Sequence, residues 1–378
     1  MKRRFIRGVG RSALLLSILS YSYIVFADHL DQLIQLKKNL VIPEPATKTE
    51  YILANIRSIQ VDDQGNMFIL DTKDLKVKVF DINGFFMHAF GTKGQGPGEF
   101  QRPIDIFIKD KTLSVFDFAN KRISNYSFDG RHLEDISLYK FGGFFRPEAV
   151  DETAIYGNLL EWDSDGGEWL KLVKYDKRTE LISSISQIKN EIMYPNVNPI
   201  ADKFILRIRK DGVIVWVHQK NYMIFLMTAD GKIIKQVAKK HGRVKISNQD
   251  KENLINRIYG GKGNIPPNVN LVWPDFYSPI VSLIVDDNDW VYIRTSEKNS
   301  QGQIKYDIFD EKGNFRGSFF HEHSIELIKN NMAYAIAEDN EGFPMIIRYE
   351  IKLKKTKGTG ERISFLGHWI SGVFDDYR

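Results

Sequence analysis

The chain has 378 residues, no cysteine, and 53 basic against 48 acidic side chains. Without cysteine there are no disulfides and no lipid-bearing N-terminal cysteine, so stability must come from a buried core. Five of the basic residues fall in the first 27 positions and the remainder carries 48 of each sign, so a nucleic-acid partner, which needs a concentrated positive surface, loses its main support.

The first residues include Lys2, Arg3, Arg4, Arg7 and Arg11, followed by an apolar run over 13–26, with Val25 and Ala27 where a signal peptidase reads. A charged start, a short apolar stretch and an A-x-A-like end describe a secretory signal peptide, the run being short for a spanning helix. The expectation is a signal peptide over 1–27. Residues 28–378 are then exported to the periplasm or secreted, with no membrane span after cleavage and no lipid anchor. An uncleaved anchor is the alternative.

Residues 56–91 place strand patterns at 56–61, 67–71, 77–81 and 85–90, separated by turn residues such as Asp62-Asp63-Gln64-Gly65-Asn66 and Asn83-Gly84. Next comes Gly91-Thr92-Lys93-Gly94-Gln95-Gly96-Pro97-Gly98-Glu99-Phe100-Gln101-Arg102-Pro103, too rich in glycine and proline to continue a strand or helix. Residues 103–138 then repeat the first pattern. Asp71 to Gly84 and Asp117 to Gly130 both span thirteen positions. More divergent copies follow over 147–185, 204–237, 279–320 and 325–353.

Six units therefore begin near 56, 103, 147, 199, 279 and 325. Most steps match a four-stranded propeller blade, and the long fourth step holds an insertion over about 243–278. Within it, Ser247 and Asp250 form a capping box ahead of LINRIY, with a stop at Gly260-Gly261, which predicts one short helix. The fold expected is all-β, a six-bladed β-propeller of four-stranded antiparallel blades with that helix between blades four and five. Ring closure needs a strand from one terminus. Residues 36–42, 51–54 and 363–374 are the candidates, and the pattern does not choose among them.

The segments GTKGQGPGEFQRPIDI, LSVFDFANKRISNYSFDG and VDDQGNMFILD resemble the NHL-like six-bladed β-propellers of exported bacterial proteins, in the TolB-like superfamily. The resemblance implies fold and compartment. It implies no activity, because propellers host lyases, lactonases, binding proteins and scaffolds.

Loops entering each innermost strand are where a propeller site is expected. Arg102-Pro103 and Arg146-Pro147 put an arginine at equivalent places in two adjacent blades, with Glu99 and Gln101 beside the first. Tyr194 enters the fourth blade, and Trp273 and Asp275 the fifth. Guanidiniums beside aromatic faces suit a small anionic or sugar-like ligand; an envelope protein is the other partner considered. The plainer reading has the arginines pair with Glu99 or Glu148 and lock blades together. The glycine loop lacks G-K-[ST] and leads into a strand, so it is not a phosphate loop. No G-x-S-x-G and no cysteine nucleophile are present, and a binding module is favoured over an enzyme. A metal-assisted hydrolase or lyase, lactonase-like, is the alternative. No cofactor is predicted, although calcium held in the channel by ligands from separate blades is compatible with the pattern. The pair in His321-Glu322-His323 shows no third ligand in sequence, and the acidic turns at Asp62-Asp63, Asp163/Asp165 and Asp286-Asp287 lack a full calcium loop.

Overall fold

The computed structural model describes residues 34–42, 52–141, 144–190 and 195–353. Six four-stranded antiparallel sheets follow one another along the chain. Their innermost strands are Ile56–Val61, Pro103–Lys109, Phe144–Val150, Phe204–Ile208, Ile280–Val285 and Ser324–Lys329. These strands neighbour one another in a closed cycle, the sixth beside the first.

Burial explains the sequence pattern. Middle strands such as Met67–Asp71 and Ile214–His218 are buried along their whole length, and so read as continuous apolar runs. Outer strands such as Phe86–Phe90 alternate. The core lies in the seams: each of six apolar clusters joins two neighbouring sheets, as where Phe68 and Val79 of the first meet Ile106 and Tyr126 of the second.

The strand Ile34–Ile42 closes the ring. It pairs antiparallel with Pro344–Leu353 as the outermost strand of the sixth sheet, with Ile34 and Ile42 buried. Of the other closing candidates, Leu53 is buried in the seam between first and sixth sheets without forming a strand, and 363–374 lies outside the described residues, as does the signal peptide expected over 1–27.

The repeat spacing has a direct cause. Asp117, fully buried, accepts N–H bonds from Gln101 and Arg102 in the incoming loop and from Ala119 and Asn120 in the following turn. Asp71 does the same for Ala54, Asn55 and Lys73, and also pairs with Lys78 at 2.9 Å. One carboxylate thus fastens a blade's entry to its second strand. A second device ends the hairpins. Asp62, Asp81, Asp163, Asp286, Asp310 and Asp339 each take the N–H groups two and four residues on. The residue between sits at positive φ and is glycine everywhere except Asp289. These acidic turns are therefore backbone caps.

The helix Asn248–Tyr259 carries the Ser247–Asp250 capping box and ends at Gly260 in the left-handed conformation. Its return is tied down: Asn270–Leu271 pairs with Asn196–Val197 ahead of the fourth sheet, and Gly242 donates to Glu297 in the fifth. Among the described residues no helix is long and apolar enough to cross a membrane.

Candidate functional site

Five of the six innermost strands carry a bulge at the same place. Register slips leave Arg57, Ile104, Glu148, Val281 and Glu326 without a partner residue on the second strand. A bulge bends the strand and re-aims the side chain at the slip, and bulges recur beside functional sites. Three of the five unpaired residues are charged. Pro147 lies inside the third innermost strand, at its bulge, where a missing N–H costs the ladder nothing.

Around these bulges the inner strands of the first four blades assemble a charged cluster. Arg57 donates through Nε to the Ile104 carbonyl, and Ser58 donates to Asp105 at 2.8 Å. Arg146 faces Asp105 at 4.0 Å and Glu148 at 3.9 Å. Glu148 is nearly buried, lies 3.2 Å from Lys203 and 3.7 Å from Arg207, and accepts from Asn158 Nδ2. Asn158 in turn exchanges two hydrogen bonds with the backbone of Phe204 across the seam, which fixes where Glu148 stands. Gly157 beneath Arg146 has to be glycine, because a side chain there would overlap the Arg146 carbonyl and the Phe145 ring.

The charges do not balance. Arg57, Arg146, Lys203 and Arg207 face two carboxylates, Asp105 and Glu148. The next pair round the ring, Arg294 with Glu326 at 3.5 Å, leaves that excess unchanged. Burial pushes the Arg57 guanidinium below its ordinary range, and Arg146 adds to the shift. Burial also holds Lys203 below its usual value although Glu148 pulls the other way. Asp105 is pushed above the ordinary carboxylate range by burial, against the pull of Ser58 and Arg146, while 28 % of its side chain still meets solvent. Arg146 Nε is buried with no hydrogen-bond partner. The cluster is thus an under-compensated cation group with solvent access and a donor to spare.

Of the residues singled out in the sequence, Arg146 belongs to this cluster. Arg102 borders it: its guanidinium lies over the Phe118 ring at 5.3 Å, and its charge still reaches Arg57. Glu99 folds back into the glycine loop, taking the Gly96 N–H at 2.8 Å, and a side chain on Gly94 would overlap its carboxylate. Gln101 lines a shallow polar groove with Gln95, Asn120, Lys121 and Arg122. Trp273 has Lys251 of the helix 5.9 Å from its ring, and the Asp275 carbonyl accepts from Ile246, so both brace the insertion. Tyr194 lies outside the described residues. Sequence reasoning missed Arg57, Asp105, Lys203 and Arg207. The available signal was the residue following each unit's start, where Arg57, Glu148 and Glu326 stand.

A family model described as a 6-bladed beta-propeller matches residues 44–196. The protein is a six-bladed β-propeller. A Bacteroides fragilis NCTC 9343 protein described as exported overlays the propeller at TM-score 0.52, with 13 % identity, covering 87 % of this chain and 98 % of that one. A Bacteroides vulgatus protein described as a member of the duf4221 family overlays it at 0.52 with 12 % identity, covering 85 % of this chain and 99 % of that one. At such identities the likeness is one of fold. No curated protein matches the sequence.

Proposed function

We propose that the propeller is an exported binding module that holds a small anionic ligand, such as a carboxylated sugar, against Arg57, Arg146, Lys203 and Arg207. The observation that carries this reading is the excess of four cations over two carboxylates on adjoining inner strands. Arginine forks favour planar carboxylates and phosphates, and a low-dielectric channel strengthens the attraction. Export is supported by the charged and apolar leader at 1–27 and by the likeness to a protein described as exported. A calcium ion, as a lactonase-like hydrolase would need, meets the opposite field here: each channel carboxylate already faces a guanidinium. An acidic segment of an envelope protein could use the same cations only by inserting a carboxylate.

Calorimetric titration with glucuronate, citrate and inorganic phosphate tests the reading. Saturable one-to-one binding that weakens with added salt is expected for at least one anion. Absence of binding by all three at low salt would remove the anion reading.

A further inference from the structure

Away from the charged channel cluster, three metal-type donors meet between the fifth and sixth blades. His321 ends the strand Phe315–His321, His323 directly precedes Ser324–Lys329, and Glu322 lies between them. One donor atom from each lies within 4.8 Å of the other two. Glu322 Oε1 and His323 Nδ1 are 3.4 Å apart. That is close to the roughly 3.3 Å separating two donors held at about 2.0–2.1 Å by one tetrahedral zinc ion.

His321 Nδ1 sits 3.2 Å from both the carbonyl oxygen and the amide nitrogen of His323. The two contacts call for opposite tautomers: Nδ1 either accepts the His323 amide N–H or donates to the His323 carbonyl, and a metal on Nε2 selects the second. Tyr349 meets the His321 ring edge-on, and its hydroxyl is 2.8 Å from His323 Nδ1. The Tyr349 hydroxyl is the hydrogen-bond partner that an arriving ion displaces from His323 Nδ1.

We propose that His321, Glu322 and His323 bind a divalent transition ion of the zinc type. Two imidazoles and a carboxylate suit zinc's borderline preference, and three protein donors leave a fourth position for water or a ligand. Glu322 is 67 % exposed, which gives the ion its entry path. The ion joins the last strand of one blade to the entry of the next. This site is independent of the anion reading of the channel.

Titration of the metal-free full-length protein with Zn²⁺ and Co²⁺ tests it. Expected are one ion per chain with micromolar or tighter affinity, the visible absorption of four-coordinate cobalt, and loss of at least ~10-fold in affinity in both Glu322→Gln and His323→Asn. Glu322 is mostly exposed, so Glu322→Gln keeps the wild-type unfolding midpoint in the absence of metal, whereas His323→Asn also loses the bond to the Tyr349 hydroxyl and unfolds somewhat earlier. No stoichiometric binding, or binding undiminished in both variants, overturns the proposal.

Discussion

Glu148 of the third blade and Lys203, which enters the fourth, meet at 3.2 Å across the seam between them. The same carboxylate faces Arg146 and Arg207 and is only 5 % exposed, so one negative charge holds three positive ones together. Replacing it by Glu148→Gln keeps the shape and removes the charge. Partly exposed partners soften the penalty, and a loss of about 2 kcal/mol is expected in urea denaturation. Anion affinity should rise in the same variant, because the cations lose their internal competitor. An equal or lower affinity would show that Glu148 does not compete with the ligand.

Arg146 and Arg207 point toward solvent by 37 % and 41 % of their side chains. Each alanine variant should therefore unfold within about 1 kcal/mol of wild type while losing roughly 10- to 100-fold in anion affinity, the worth of one charge-assisted hydrogen bond. Arg102→Ala, whose guanidinium rests on Phe118, should lose much less. Normal binding with early unfolding in the Arg146 and Arg207 variants would make these arginines blade locks.

The repeat was legible because its spacing is set by local chemistry. Asp71 and Asp117 must each stand at the end of a second strand to reach both the incoming loop and the following turn, and the turn glycines must sit where φ is positive. The capping box at Ser247 and Asp250 was legible for the same reason. The channel cluster was not, since it is built by bulges on separate strands. Nothing in the triplets Ile56-Arg57-Ser58 or Pro147-Glu148-Ala149 announces that the middle residue slips out of register. Arg207 was harder still: its strand has no bulge and starts well after Pro199.

Asp286 and Asp310 cap similar turns in the fifth blade but should respond oppositely to pH. Asp310 takes N–H bonds from Asn314 and two contacts from Arg316, which hold its carboxyl below the ordinary range despite burial. Its stabilisation is lost as pH falls through that depressed value. Asp286 is raised to about 6, first by burial and further by Asp287, against hydrogen bonds from Trp290, Asn288 and Tyr292. The fold therefore prefers it protonated, and its contribution to stability falls as pH rises from about 4 to about 6. Across that window wild type should lose on the order of 2 kcal/mol relative to Asp286→Asn. Parallel pH–stability curves for the two proteins would refute the assignment.

The closing strand offers the sharpest test of the ring itself. Ile34–Ile42 pairs along the outer edge of Pro344–Leu353 from Ile346 to Leu353, with one slip between Lys38 and Leu40, where Asn39 accepts from Arg348. Deleting residues 1–42 leaves that edge open and uncovers the seams that Ile34 and Ile42 fill. Two fully buried isoleucines are worth about 3–6 kcal/mol, before the lost ladder is considered. An unpaired edge of this length is also a template for association. The truncated chain should unfold far below wild type and self-associate in sedimentation, and Ile42→Ala alone should cost about 2–4 kcal/mol. Lys37→Gln, exposed on the same strand, should change stability by no more than about 0.5 kcal/mol. If the truncated chain stays monomeric with an unchanged midpoint, the ring is closed by another segment.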